Sequence, residues 1–165
     1  DPYGHLGGDF TLSSVDGPVS LSDFRGKVVP IYFGFTFCPD ICPTTLSSLA
    51  SAMNQLTPAE LAQVEGLFIS VDPERDTLPN TAEYAAHFHP QIRGITGSPE
   101  QIAQVARQYL VIYEKVQMED SAMDYSVDHS SLLYVVGKDG KIRSLVRHGD
   151  SPADIAAALR TAMAS

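Results

Sequence analysis

Short runs of β-branched and aromatic residues alternate along the chain with longer stretches whose apolar residues recur at helical spacing, the pattern of a sheet covered by helices. Phe10 to Leu12 and Val19 to Leu21, split by Asp16-Gly17-Pro18, predict a small N-terminal hairpin. Val28 to Phe35 is apolar almost throughout and reads as a central strand buried on both faces. Its start is drawn toward Pro30, because proline cannot donate to a sheet ladder. From Thr44 to Leu56 the apolar residues Leu46, Leu49, Ala50, Met53 and Leu56 form one helical stripe.

The alternation continues to the end. Leu67 to Val71 predicts a strand, Asp72-Pro73 a turn, and the stretch from about Pro79 to Phe88 a helix. Ser98-Pro99 opens a further helix with the face Ile102, Val105, Ala106 and Tyr109. Leu110 to Val116 and Leu132 to Val136 read as strands, and Lys138-Asp139-Gly140 turns a hairpin into Ile142 to Val146. Ser151-Pro152 caps a final Ala-rich helix. Gln117 to Asp128 has no clear period and reads as a loop that runs into His129. With no repeat or linker to divide it, residues 1–165 form a single domain.

Composition narrows the chemistry. A formal charge of −9 repels phosphate backbones and anionic headgroups, which argues against nucleic acid as a partner. No apolar run approaches the roughly 20 residues needed to cross a bilayer. The chain starts at Asp1 without a signal-like segment, so any membrane attachment is expected from an N-terminal anchor outside this sequence.

Cys38 and Cys42 are the two cysteines of the chain, and their spacing makes them chemistry rather than a staple. They lie just past a buried strand and at the start of a helix, where the helix N-terminus favours a thiolate. If the intervening turn is roughly helical, their Cα atoms lie about 6 Å apart. That separation suits either chelation of one metal or a disulfide. Two thiolates form a soft, low-coordinate site that suits copper once an imidazole joins, whereas structural zinc asks for four protein ligands. Among the five histidines, His129 precedes the apolar strand at Leu132. By position alone such a residue is more often an ordinary loop residue than a ligand. His5 lies near the terminus, His148 in a polar turn, and His87 and His89 close a helix before Pro90, where a cation would complement the helix C-terminus.

The run Tyr32-Phe33-Gly34-Phe35-Thr36-Phe37-Cys38-Pro39-Asp40-Ile41-Cys42-Pro43-Thr44-Thr45-Leu46 is followed by Ser70-Val71-Asp72-Pro73-Glu74-Arg75-Asp76-Thr77 and then by Asp128-His129-Ser130-Ser131. In that order these blocks resemble the Sco/SenC copper chaperones. The resemblance implies a thioredoxin-like α/β fold, with a central mixed sheet flanked by helices. It also implies a copper ion, Cu(I) or Cu(II), held by Cys38, Cys42 and His129. The expected partners are a copper donor protein and the CuA domain of cytochrome c oxidase subunit II. The expected setting is the periplasmic side of a bacterial inner membrane, with the domain monomeric and held by an N-terminal anchor.

Asp72 is expected to supply charge or a hydrogen bond near the site, or else to hold a turn through a local Arg75 pair. Asp40 would keep the cysteine loop acidic, and Met118 and Met123 are soft donors near His129 or packing residues. The competing function is a thiol-disulfide oxidoreductase acting on partner cysteines through Cys38 and Cys42. Familiar enzymes of that kind carry a C-x2-C pair and a proline facing it. Here the spacing is C-x3-C and Ser126 to Ser131 contains no proline, which favours a metallochaperone over an enzyme.

Overall fold

The computed structural model describes residues 3–36, 41–111, 113–117, 125–129 and 132–165, with backbone alone for 41–42, 113–117 and 125–129. The elements in chain order are β1 (Thr11–Ser14), β2 (Gly17–Ser20), β3 (Val29–Gly34), α1 (Ile41–Asn54), α2 (Pro58–Leu61), β4 (Gly66–Ser70), α3 (Leu78–Phe88) and β5 (Ile92–Ile95). They continue with α4 (Pro99–Tyr109), β6 (Tyr113–Gln117), β7 (Tyr125–His129), β8 (Leu133–Val136), β9 (Ile142–Val146) and α5 (Pro152–Met163). Among the described residues no helix is long and apolar enough to cross a membrane.

The principal sheet has the order β5-β4-β3-β8-β9. β3 pairs in parallel with β4, and β4 with β5. β8 runs antiparallel to β3 and to β9. Both β3 and β4 are buried along their whole length, which explains their unbroken apolar sequences. Pro30 stands inside β3, opposite Val135 of β8. Val28 N–H donates to Gln63 O, so the alternation of a parallel ladder aims the nitrogen of Pro30 at β4. The named pairing with β4 resumes only at Ile31. The proline is therefore accommodated at a gap in the β3–β4 ladder.

The parallel pairs β3–β4 and β4–β5 are each joined through a helical crossover, which sets the layers. α1 packs against α3 and α5 on one face, where Phe68 of β4 meets Tyr84 of α3 with ring centroids 5.3 Å apart. On the opposite face Tyr109 of α4 meets Phe33, Tyr134 and Phe10. Tyr109 donates its hydroxyl to Gly8 O and Tyr134 donates to Tyr109 O, which fastens the N-terminal segment and α4 to the sheet. The predicted stripe of α1 faces this core, with Leu46, Leu49 and Met53 fully buried. The helix starts at Ile41, within the cysteine segment, in keeping with the expectation that it begins at the cysteines.

Other expectations shift in detail. In the N-terminal hairpin Ser14 pairs with Gly17, so the turn is Val15-Asp16 and Gly17-Pro18 belong to β2. The strand expected from Leu110 begins at Tyr113, because Leu110 closes α4 in the left-handed region at φ 52°. The segment read as a loop up to His129 contains β7, which pairs antiparallel with β6 as a separate ribbon. Tyr125 and Val127 alternate there with Ser126 and Asp128, a period-two pattern too short to stand out. β5 is an edge strand whose Ile-Arg-Gly-Ile sequence carries no β-branched run.

Gly94 in β5 is fixed by the helix above it. A Cβ there would stand 2.1 Å from the backbone oxygen of Thr81 in α3. We expect Gly94→Ala to destabilise the domain by roughly 1–3 kcal/mol in urea unfolding, because a backbone carbonyl cannot step aside as a side chain can.

His89, expected as a helix-capping cation, is instead buried. Burial holds its pKa below the ordinary imidazole value, and its Nδ1 accepts the Gln91 N–H at 3.0 Å as a neutral ring would. The unfolded chain therefore takes up this proton first as pH falls through about 6.5. The His89 contribution is complete above that value and is lost on acidification. The urea midpoint should drop between about pH 7 and pH 5.5, and His89→Asn, which keeps an acceptor but cannot titrate, should flatten that slope.

Candidate functional site

Because β3, β4 and β5 are parallel, their carboxyl ends lie at one edge of the sheet, and the antiparallel strands bring the start of β8 and the end of β9 there too. Polar connections gather at such an edge because the strands themselves have no wet face. The cysteine segment leaves β3 at this edge through Phe35 and Thr36. Cys42 is the second residue of α1, within the turn whose free N–H groups favour an anion. His129 is the last residue of β7 and pairs with Tyr113. Four residues later comes Leu133, which pairs with Tyr32 near the end of β3. That tether limits His129 to about 14 Å from Leu133. Cys38, Asp40, Met118 and Met123 lie outside the described residues.

The Asp72 region resolves as the local pair the sequence allowed. Asp72 is 3% exposed, its N–H donates to Ser70 Oγ at 3.2 Å, and its Oδ2 accepts Arg75 Nε at 2.5 Å. The Arg75 guanidinium lies 5.8 Å from the ring centre of Phe35. The loop after β4 thus leans on the first residue of the cysteine segment through a cation–π contact.

Asp76, not among the candidate residues singled out from the chain, is 1% exposed and stands at the centre of the edge. Its Oδ2 accepts the Thr36 N–H at 2.9 Å and the Ser70 hydroxyl at 2.5 Å, and its Oδ1 accepts the Thr36 hydroxyl. Its own N–H donates to Asp72 O at 2.9 Å. Polar residues closing two apolar strands, Thr36 beyond β3 and Ser70 at the end of β4, were the available signal. Buried hydroxyls need partners, and an acidic loop nearby can supply them. Thr96, beyond β5, donates its hydroxyl to Ser70 O at 3.0 Å and extends the polar seam across the three parallel strands.

On the side of α5 the seam ends at His148, in the turn after β9. Its Nδ1 lies 3.2 Å from the hydroxyl of Thr45, a buried residue one turn beyond Cys42 in α1. His148 itself is exposed. It belongs to the same edge as the cysteine segment, a position that the sequence read only as a polar turn.

A mixed sheet whose central parallel strand leads through a cysteine segment into a packed helix defines a thioredoxin-like α/β protein. Residues 2–164 match the SCO1/SenC family model, and the chain belongs to that family. It is 45% identical over 160 residues to the bovine (Bos taurus) protein SCO2 homolog, mitochondrial, an alignment that covers 96% of this chain and 60% of that protein. The crystal structure of Arabidopsis thaliana ScoI with copper bound superposes with a TM-score of 0.85 at 41% identity, covering 94% of this chain and 99% of that one. BsSco, described with a disulfide switch and as a member of the Sco family of cytochrome c oxidase assembly proteins, gives a TM-score of 0.74 at 27% identity and covers 99% of this chain and 96% of that one.

Replacing Asp72 by Asn removes the carboxylate that Arg75 holds in a largely buried place. We expect a loss of about 3 kcal/mol in chemical denaturation, as for breaking one side of a buried ion pair.

Proposed function

We propose that this domain takes up one copper ion on the thiolates of Cys38 and Cys42 and the neutral imidazole of His129, and delivers it to the CuA site of cytochrome c oxidase subunit II. The observation that carries this reading is topological: the segment that opens α1 with Cys42 and the short tether from His129 to β8 belong to the same edge of the sheet. The donor chemistry agrees. Two thiolates and an imidazole are soft ligands that suit copper, and structural zinc would ask for a fourth protein ligand. The copper in Arabidopsis ScoI and the assembly role stated for the family of BsSco point the same way.

Copper is cargo here, received from a donor protein and passed on by exchange of ligands. In the reduced domain both sulfurs are available. Oxidation to a Cys38–Cys42 disulfide releases two electrons and two protons and removes both sulfur ligands, so loading follows the redox state. The work belongs on the periplasmic side of a bacterial inner membrane, where an anchor preceding this sequence would hold the domain near its acceptor. A second reading draws on the disulfide switch of BsSco. In it the reduced dithiol attacks a disulfide of the acceptor, which leaves as a dithiol while Cys38 and Cys42 retain the disulfide.

Copper titration of the reduced wild type, His129→Ala and Cys42→Ser tests the site. One equivalent with thiolate-to-copper absorption is expected for the wild type. His129→Ala should bind at least ~10–100-fold more weakly, the range already seen for losing an outer-shell partner of a metal ligand. Unchanged binding by His129→Ala, or no tight binding by the wild type, would sink the ligand set. Turnover of acceptor-peptide disulfides at the pace of a dedicated reductase, with no copper transfer, would favour the second reading.

A further inference from the structure

The cysteine segment is held at two ends. One end is α1, which begins at Ile41 and is packed into the core. The other is Thr36, two residues before Cys38, and its backbone N–H and hydroxyl are both bound by the carboxylate of Asp76. Asp76 is anchored in turn by the Ser70 hydroxyl and by its own N–H to Asp72 O. Only residues 37–40 lie between the two fixed ends. We propose that Asp76 is a positioning residue for the dithiol: by gripping Thr36 it sets where Cys38 stands relative to Cys42, and so sets both the tendency of the pair to close and the retention of copper.

A carboxylate suits this task because the donors converge from different strands. Thr36 and Ser70 end adjacent parallel strands, and a single side chain with two acceptor atoms bridges them. Among the described residues no lysine, arginine or histidine pairs with Asp76. The three hydrogen bonds themselves are what compensate its burial. The same arrangement predicts which substitution is harmless. In Asp76→Asn the amide oxygen can keep the Thr36 N–H and the Ser70 hydroxyl, while the amide nitrogen faces Thr36 Oγ1, which turns to accept. Shape survives without the charge. Asp76→Ala removes the bridge, and Thr36→Val removes one of its bonds.

The copper part of this inference rests on the proposed ligand set, and the dithiol part does not. Two measurements therefore run in parallel on the wild type, Asp76→Ala, Asp76→Asn and Thr36→Val. The first, free of metal, is the equilibrium of the Cys38–Cys42 disulfide against dithiothreitol, which reports the effective concentration of one thiol at the other. The second is copper(I) retention against bicinchoninate, with the thiolate-to-copper band as its spectral signature.

Asp76→Ala is expected to shift the dithiol equilibrium and lower copper retention by ~10-fold or more, since displacements near 1 Å can cost about 100-fold in tightly arranged sites. Thr36→Val should fall between it and the wild type, and Asp76→Asn should restore both readouts to within about twofold. Should Asp76→Ala fail to fold, Thr36→Val carries the test through the same readouts. The proposal is overturned if the variants unfold more easily yet keep the wild-type dithiol equilibrium and copper band, which would make the grip merely structural. It is equally overturned if Asp76→Asn behaves like Asp76→Ala, which would make charge the cause. Failure of the wild type to bind copper would remove the ligand set but leave the dithiol comparison to decide for or against Asp76.

Discussion

β3 and β4 are parallel neighbours buried on both faces, so neither has a side on which a polar group can meet water. Everything hydrophilic that these strands carry must be pushed to their ends, where the chain turns. Thr36, Ser70 and Thr96 occupy those ends, one per parallel strand, and each meets a partner from a neighbouring segment. The apolar centre of the sheet thus decides where the polar seam can exist. It also makes the seam rigid, because unpaired hydroxyls or carboxylates there would be held out of water at a cost of several kcal/mol.

The two acidic residues of the loop after β4 divide the work between them. Asp72 faces Arg75 and through it the ring of Phe35, while Asp76 faces Thr36 and Ser70. Both contacts end on the residues that lead from β3 toward Cys38. The loop therefore braces the cysteine segment from two directions, one through a cation over an aromatic ring and one through direct hydrogen bonds. Pro30 fits the same logic from the other end of β3, since its missing donor falls at a gap in the pairing with β4 and leaves the carboxyl end of the strand undisturbed.

What could be read in the chain beforehand followed from burial. Val29–Gly34 and Gly66–Ser70 announced themselves because central strands must be apolar throughout, and the caps Ser98 and Ser151 because helix N-termini need acceptors. β5 escaped notice because Gly94 is dictated by the backbone of α3 lying against it, a constraint that leaves no mark on the strand itself. The ribbon of β6 and β7 escaped because its partners are each other, and short alternation in a polar stretch has little contrast. Cys38, Cys42 and His129 were singled out beforehand by spacing and resemblance, and of these the structure describes the backbone of Cys42 in α1 and of His129 in β7. Asp76 was not singled out, since its role depends on Thr36, forty residues away, and no local pattern can carry a contact over that separation.

The ribbon has its own consequence. It joins α4 to β8 and, among the described residues, exchanges ladder hydrogen bonds with no strand of the principal sheet. Because its strands pair with each other, the register of β8 against β3 does not depend on the ladder of the ribbon. His129 is thus carried on a ribbon apart from the principal sheet, whereas Cys42 is carried on a helix packed into the core. A change in the length of the ribbon would therefore displace the histidine at little expense to folding, whereas Cys42 cannot be displaced without repacking α1 against the sheet.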